Sequence, residues 1–214
     1  MVPGPERIEG PALFAHPLAA AVVKTVAERG YDAATVEEIS ARAGVSPREF
    51  ERLFADKADA VLRVFEAHID DFRRQVQRAY DRYPEWPESL RAAGYAAIDW
   101  VERHPGTLHY GMVDILEAGE MARVRREDLF RWCAGLIDAG REVAPEPAAV
   151  ASGAALMAVG AIVELITRNT QEAGEAELAE VLPEMMYGAV RPYLGEAVAQ
   201  RELSMPRPRI ADRS

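Results

Sequence analysis

Helical periodicity is the feature that most constrains the fold of this chain. From about His16 onward, apolar residues recur at the three- and four-residue spacing of one helix face. No segment of the sequence shows sustained alternation rich in β-branched residues, which a half-buried strand would require. Glycine and proline interrupt the pattern, and each interruption ends a predicted helix. The sequence therefore predicts an all-α fold, with three short helices followed by longer ones.

Composition excludes several other classes of protein. The 214 residues are 49% hydrophobic, which is enough to bury a substantial core. No apolar run reaches the roughly 20 residues that a membrane span needs, so no membrane partner is expected. The N-terminus lacks the basic start and apolar block of a secretory signal. The single cysteine, Cys133, cannot form an internal disulfide, which favours a cytoplasmic location.

Two short helices joined by a tight turn are predicted within Thr35–Phe54. Thr35 and Glu38 form a capping-box pattern at the start of the first helix. Gly44 follows this helix, at a position that often requires a positive φ. Ser46–Glu49 repeats the capping box, with proline at the first helical position. This arrangement predicts a helix-turn-helix.

The second of these helices has an apolar and a basic face. Its apolar side chains are spaced to pack inward, whereas Arg48 and Arg52 point in the opposite direction. Arginine can bond the edge of guanine with two hydrogen bonds or hold a phosphate. The basic face therefore predicts DNA reading in a major groove, and Lys57 is suited to a phosphate contact. The candidate DNA-binding residues are Thr35, Arg42, Ser46, Pro47, Arg48, Glu49, Glu51, Arg52 and Lys57.

The charge of the chain opposes this interpretation. The formal net charge is -10, whereas nucleic-acid binders usually carry a basic patch. The first 60 residues contain seven basic and ten acidic side chains. Any contact with DNA must therefore come from the local placement of a few arginines.

Residues Pro17–Leu62 resemble the DNA-binding domain of the tetracycline-repressor (TetR) family. Four stretches carry the resemblance: Ala27–Tyr31, Thr35–Ile39, Ala43–Ser46 and Phe54–Lys57. The rest of the chain is similar to the family only in length and helical layout. The resemblance implies a homodimer that binds a double-stranded DNA operator as a repressor and is released by a small effector.

The chain departs from the family at Glu51, where an aromatic residue that touches phosphate is common. Three interpretations follow: Glu51 pairs with Arg48 or Arg52, it accepts a hydrogen bond from a cytosine amino group, or DNA binding is weakened. We favour the ion pair. Glu49 replaces a small or hydroxyl residue of the family and is interpreted as the partner in the capping box.

The breaks and the resemblance together define the expected domains. Residues 12–57 form the helix-turn-helix domain, and residues 58–203 form a helical domain for effector binding and dimerisation. Residues 1–11 and 204–214 are expected to be flexible. A long helix, Ala58–Tyr83, would connect the DNA-reading part to the rest.

Aromatic, methionine and polar residues in the larger domain are candidates for an effector pocket. The alternative is that they belong to the core, and His104 could instead interact with helix-terminal carbonyls. The five-residue step from His109 to Asp114 drifts around a helix, so we predict neither a metal nor a cofactor. The candidate ligand-binding residues are Trp100, His104, His109, Tyr110, Met112, Phe130, Met157 and Glu164.

The last two predicted helices, Ala148–Asn169 and Glu175–Arg201, are expected to form the dimer surface. The first is rich in alanine and glycine, which allow helices to approach closely. Two such helices from each subunit could form a symmetric bundle through residues 148–201. The alternative is that both helices belong to the core of one subunit.

The function predicted from the sequence is a ligand-responsive transcriptional regulator, expected to repress by binding a palindromic operator as a homodimer. The alternative is a small-molecule sensor with a degenerate helix-turn-helix. A helical enzyme is the third hypothesis, but no nucleophile–base pair or phosphate-binding glycine loop supports it. We therefore predict that the chain is not an enzyme.

Overall fold

Side-chain caps begin both helices of the predicted helix-turn-helix, as the sequence predicts. In the computed structural model, which describes residues 8–172 and 178–207, Thr35 Oγ1 accepts the Glu38 N–H at 3.2 Å. Ser46 Oγ accepts the Glu49 N–H at 3.3 Å. Gly44 adopts the left-handed conformation, with φ 71°, which glycine allows without steric cost. The start and end signals of these helices are therefore encoded locally.

Helices account for the architecture throughout the described residues, which contain no β-strand. The all-α prediction is confirmed. The eleven α-helices of the described chain are α1 (Gly10–Phe14), α2 (Pro17–Arg29), α3 (Val36–Ala43), α4 (Pro47–Leu53), α5 (Lys57–Tyr80), α6 (Trp86–Arg103), α7 (Thr107–Met112), α8 (Glu120–Asp138), α9 (Ala154–Glu172), α10 (Leu178–Leu194) and α11 (Glu196–Glu202). None of these helices combines the length and the apolar character needed to cross a membrane.

The predicted boundaries were wrong mainly near the C-terminus. The last predicted helix is two helices, because Gly195 has φ 78° and ends the run of helical backbone after α10. The preceding helix begins at Ala154 instead of Ala148, after a short 3₁₀ turn at Pro147–Ala149. The predicted start of the last helix, Glu175, lies outside the described residues.

Parts of both predicted flexible termini are described, and their flexibility stays a prediction. Residues 10–14 form α1, and the Leu13 side chain is buried. Near the other end of the described chain, the Arg207 guanidinium donates a hydrogen bond to Asp99, and its carbon lies 5.1 Å from the centre of the Tyr95 ring. Residues 1–7 and 208–214, which the sequence predicts to be flexible, lie outside the described residues.

The chain divides into two compact units. The first comprises the residues up to Arg73 together with His104–Asp128, and the second comprises Arg74–Arg103 together with the residues from Leu129 onward. The sequence places a boundary after residue 57 instead. The observed division differs from the predicted one because α7 and the segment after it pack with α2 and the first part of α5. These contacts join segments that are distant in sequence, and local patterns do not show them.

The core of the first unit is built from the inward faces of α2–α5 and α7. Leu18, Val22 and Val26 of α2 are fully buried, as is Ile39 of α3. These positions follow the helical spacing of the sequence, so one stripe of each helix faces the core. This core supports the two helices of the helix-turn-helix.

A buried ion pair ties the C-terminus of the second unit to its interior. Arg91 of α6 donates two hydrogen bonds of 2.9 Å to the carboxylate of Glu202 in α11. The side chains are only 7% and 4% exposed. Two buried charges are tolerated because each satisfies the other with good geometry. The pair therefore fixes where α11 ends against α6.

Candidate nucleic-acid interface

The α4 helix is anchored by two aromatic rings. Phe50 and Phe54 are buried, and their ring centroids lie 5.1 Å apart. Leu53 is also buried, so the inward face of α4 is the one that the sequence predicts. The opposite face is left toward solvent, where it can meet a partner.

Arg48 and Arg52 both lie on this exposed face. Arg48 has no hydrogen-bond or ion-pair partner among the residues that the structure describes. Arg52 lies 4.0 Å from Glu49, a weak pair across one helical turn. The guanidinium of Arg48 is therefore available for an anion or for a base edge.

The prediction that Glu51 forms an ion pair with Arg48 or Arg52 was wrong. Its exposed carboxylate pairs with neither Arg48 nor Arg52, and it has no other partner in the described part of the chain. Arg52 lies near Glu49, three residues away on the same side of the helix, whereas Glu51 is adjacent to Arg52 in sequence and points about 100° away from it. The negative charge of Glu51 is thus fully presented to any ligand of α4.

The capping boxes are only half formed. The Thr35 and Ser46 hydroxyls cap their helices, but the Glu38 carboxylate accepts a hydrogen bond from Arg29 at 2.9 Å instead of reaching back to residue 35. Glu49 faces Arg52. The Glu38 carboxylate is therefore paired with an arginine, whereas Glu49 makes only the weak contact with Arg52. Pro47 occupies the first position of α4, as predicted.

Arg42 is engaged within the domain. Its guanidinium donates hydrogen bonds of 3.1 and 2.5 Å to the two carboxylate oxygens of Glu28 in α2. The hydrogen bond from Arg42 lowers the pKa of Glu28 and raises that of Arg42. This bidentate pair joins α2 to α3, and a DNA contact by Arg42 would have to compete with it.

Lys57 closes the turn between α2 and α3. Its ammonium group donates to the carbonyls of Tyr31 at 2.6 Å, Ala34 at 3.0 Å and Asp32 at 3.3 Å. The same group lies 4.4 Å from the centre of the Tyr31 ring. Because lysine has three N–H donors, these bonds use all of them. The structure thus gives Lys57 a role inside the domain, and its phosphate contact stays a prediction.

Arg63 is a residue of this site that sequence reasoning missed. It lies on α5, and its guanidinium donates to the Leu53 carbonyl at the end of α4 and to the Ile8 carbonyl before α1, both at 2.5 Å. The partners lie 10 and 55 residues away in sequence. A pattern of local spacing cannot identify such contacts.

Four of the predicted ligand residues lie in the first unit. Tyr110 is a core residue, only 1% exposed, and its hydroxyl donates to the Val61 carbonyl at 2.6 Å. His109 is exposed, with Nε2 3.8 Å from Asp114. The ring of His104 lies 5.3 Å from that of Phe14, and Met112 is half-buried. Tyr110 therefore has a structural role, because its polar atom is already satisfied.

The other four predicted ligand residues lie in the second unit. Trp100 is buried in α6, and Phe130 is half-buried in α8. Met157 is 65% exposed on α9, and Glu164 is exposed on the same helix. The exposure of Met157 and Glu164 does not support the predicted pocket wall, because a side chain that lines a pocket is largely shielded from solvent.

A family model decides the identity of this helix-turn-helix. Residues 18–64 match the model for bacterial regulatory proteins of the tetR family. Residues 18–64 are a DNA-binding domain of the TetR type. The resemblance predicted from the sequence is thereby confirmed for these residues, and the matching proteins are regulators and not enzymes, as the sequence predicts.

The TetR assignment is supported by a curated relative. The HTH-type transcriptional activator FasR of Mycolicibacterium smegmatis is 36% identical over 75 residues, which cover 35% of this chain and 34% of FasR. The match therefore spans about a third of the curated relative.

Solved structures of regulators share the fold of most of the chain. The fatty acid degradation regulator FadR from Bacillus halodurans is 16% identical, with a TM-score of 0.73, and the match covers 86% of this chain and 96% of that one. FadR from Bacillus subtilis, solved in complex with stearoyl-CoA, is 16% identical with a TM-score of 0.63, covering 80% and 97%. Similarity at this identity establishes the fold alone.

The role of Lys57 in this TetR domain can be tested with Lys57→Gln. Loss of the ammonium group leaves buried or half-buried carbonyls without a charged donor, so we expect a loss of about 1–3 kcal/mol in the free energy of unfolding. Urea denaturation measures this loss. The exposed Lys24 is the other lysine of the chain, and Lys24→Gln should change stability by less than about 0.5 kcal/mol. Equal effects of the two substitutions would contradict this role.

Proposed function

We propose that the protein is a dimeric transcriptional repressor that reads a palindromic operator with α4 and is released by a fatty acyl-CoA. The observation that carries the proposal is the exposed arginine face of α4 on a TetR-family domain. As a DNA-bound regulator, the protein would act in the cytoplasm. Each part of the proposal is supported by a different feature of the chain.

DNA reading is supported by the distribution of charge on α4. Arg48 is exposed and has no partner among the described residues, so binding DNA breaks no ion pair of this side chain. The contact of Arg52 with Glu49 is long, at 4.0 Å, and therefore weak. Glu51 opposes phosphate approach on the adjoining side of the helix. Affinity should therefore depend strongly on Arg48, because few other cations near α4 are uncommitted.

Arg48→Ala should weaken binding to the operator by roughly 1–3 kcal/mol, the usual value of a bidentate arginine–guanine contact. Fluorescence anisotropy at fixed salt, with DNA from upstream of the protein's own gene, measures the affinity. Arg29→Ala is the matched control, because it removes an arginine of the same domain that pairs with Glu38.

Glu51→Gln should strengthen binding to all sequences if the carboxylate only repels phosphate. The same substitution should relax the preference at one base pair if Glu51 reads cytosine.

Two outcomes would contradict this assignment. Wild-type protein that shows no preference for its upstream DNA at low salt would favour the alternative of a sensor with a degenerate helix-turn-helix. Equal loss of affinity in the Arg48 and Arg29 variants would show that α4 is not the reading element. If expression of a reporter gene falls when the regulator is deleted, the protein is an activator and not a repressor. Activation is the activity for which FasR is named.

Dimerisation through residues 148–201 is supported by an uncovered apolar face on α9. Leu156 and Met157 are 57% and 65% exposed. Gly160 and Ala161, one turn further along, are also exposed. Together these residues form a narrow apolar strip with small side chains, on which a second copy of α9 could pack closely. We therefore reassign Met157 from the effector pocket to the dimer surface.

Met157→Glu should convert the dimer into monomer, because two carboxylates would be buried at the symmetric contact. Analytical ultracentrifugation at micromolar concentration measures the association state. Val113→Glu is the control, since Val113 is an exposed apolar residue of the first unit. If the Met157→Glu protein sediments like the wild-type dimer, this face of α9 is not the dimer surface.

An acyl-CoA effector is supported by the solved relatives and by the arginines of α8. The fatty acid degradation regulator and the stearoyl-CoA complex are both similar in fold to this chain. Helix α8 carries Arg123, Arg125 and Arg126 in its first half. Arg126 is half-buried, and its burial lowers its pKa. A phosphate of coenzyme A placed next to this guanidinium would stabilise the charged form.

Palmitoyl-CoA should stabilise the protein by about 2.7 kcal/mol at 100 times its dissociation constant. Differential scanning calorimetry measures the shift, with palmitate and free coenzyme A as separate arms. Arg126→Met should reduce the stabilisation by palmitoyl-CoA more than the stabilisation by palmitate. Substitution of the exposed Arg78 by methionine should change neither. Equal stabilisation by palmitate would make the free fatty acid the effector, and no shift with any of the three would reject this ligand class.

A further inference from the structure

The end of α4 depends on a side chain from α5. Leu53 is the last residue of α4, and a helix leaves its final carbonyls without intrahelical partners. The Leu53 carbonyl accepts a hydrogen bond of 2.5 Å from the Arg63 guanidinium. Arg63 therefore supplies the donor that the helix cannot supply for itself.

The same guanidinium also binds the segment that precedes α1. Its other terminal nitrogen donates to the Ile8 carbonyl, also at 2.5 Å. Ile8 is half-buried and lies 55 residues before Arg63 in sequence. One planar group thus joins the N-terminal segment to the end of the recognition helix, which a fork of several N–H donors allows.

Neighbouring side chains hold the guanidinium in this orientation. Its carbon lies 5.0 Å from the centre of the buried Phe54 ring. The Asp59 carboxylate lies 3.5 Å from one terminal nitrogen of Arg63 and also accepts the Ala55 N–H at 3.0 Å. The Arg63 side chain is only 11% exposed. Its position is therefore determined by contacts with both ends of the α4–α5 connection.

We infer that Arg63 is a positioning residue through which the N-terminal segment controls the placement of the recognition helix α4. The inference rests on the proposed function, in which α4 reads DNA. When Ile8 is bound, the guanidinium is held at both ends and the Leu53 carbonyl has a fixed donor. When the segment is absent, Arg63 loses one of its two carbonyl anchors, and the end of α4 becomes freer to move.

Four full-length or truncated proteins test this coupling: wild type, Arg63→Lys, deletion of residues 1–9, and both changes together. Lysine keeps the positive charge but lacks the planar fork that reaches two carbonyls at once. Arg29→Lys is the matched control, because Arg29 forms an exposed pair elsewhere in the same domain. Hydrogen exchange without DNA is measured at Phe54 N–H, which bonds the Phe50 carbonyl in α4, and at buried Val26 in α2.

Arg63→Lys should speed exchange at Phe54 about tenfold, the factor expected for losing one charge-assisted hydrogen bond. Exchange at Val26 should not change. Deletion of residues 1–9 should speed exchange at Phe54 when Arg63 is present but add little when combined with Arg63→Lys, since both changes act through one guanidinium. Equal acceleration at both amides, or no acceleration at Phe54, would overturn the inference.

Operator affinity gives a second readout that a purely structural role would not move. At temperatures below the unfolding transition of every variant, Arg63→Lys and the deletion should each lower the affinity for the operator about five- to tenfold. Arg29→Lys should leave this affinity unchanged. If wild type binds the operator and the Arg63→Lys protein binds equally well, the inference fails while the proposed function stands. If wild type does not bind, the proposed function fails, and hydrogen exchange still decides the role of Arg63.

Discussion

The helix-turn-helix of this protein depends on two cations of α5 that bind backbone carbonyls of other segments. Lys57 binds carbonyls of the turn between α2 and α3, and Arg63 binds those of Leu53 and Ile8. A shielded carbonyl left without a partner costs about 1–3 kcal/mol. This is a large share of the roughly 5–15 kcal/mol that stabilises a typical domain. Helix α5 therefore holds both ends of the DNA-reading unit, in addition to contributing to its core.

These internal contacts also explain how an acidic domain can present a basic surface. Arg29 and Arg42 are paired with Glu38 and Glu28, so their charges are locally neutralised. Lys57 and Arg63 are turned toward carbonyls. Arg48 is exposed on α4 without a partner among the described residues. DNA affinity in the proposed function is thus concentrated on very few side chains, and the uncompensated carboxylate of Glu51 lies beside them.

The second unit combines a closed interior with an open helix face. The buried pair of Arg91 and Glu202 satisfies two charges that could not be buried singly. In contrast, Leu156 and Met157 of α9 leave apolar area in solvent. An apolar strip of this kind is typical of a surface that another chain covers. The proposed dimer would therefore add to the core of this unit across a symmetry axis.

Much of the helix-turn-helix could be read from the sequence, because its signals act over a few residues. The caps at Thr35 and Ser46, the positive φ of Gly44 and the inward Phe50 each depend on neighbours within about one helical turn. The ligand residues were harder to predict. Tyr110 and Met157 have similar apolar character in the sequence, yet one is buried with its hydroxyl satisfied and the other is exposed.

The sequence by itself determined the all-α class, the DNA-binding element and its outward arginines. Only the tertiary structure decided which cations remain available to DNA, since the partners of Lys57 and Arg63 lie as far as 26 and 55 residues away. The same holds for the open face of α9 and for the break at Gly195. Periodicity reports which side of a helix is apolar, but packing between distant segments decides which apolar side is covered and which charge is used inside the fold.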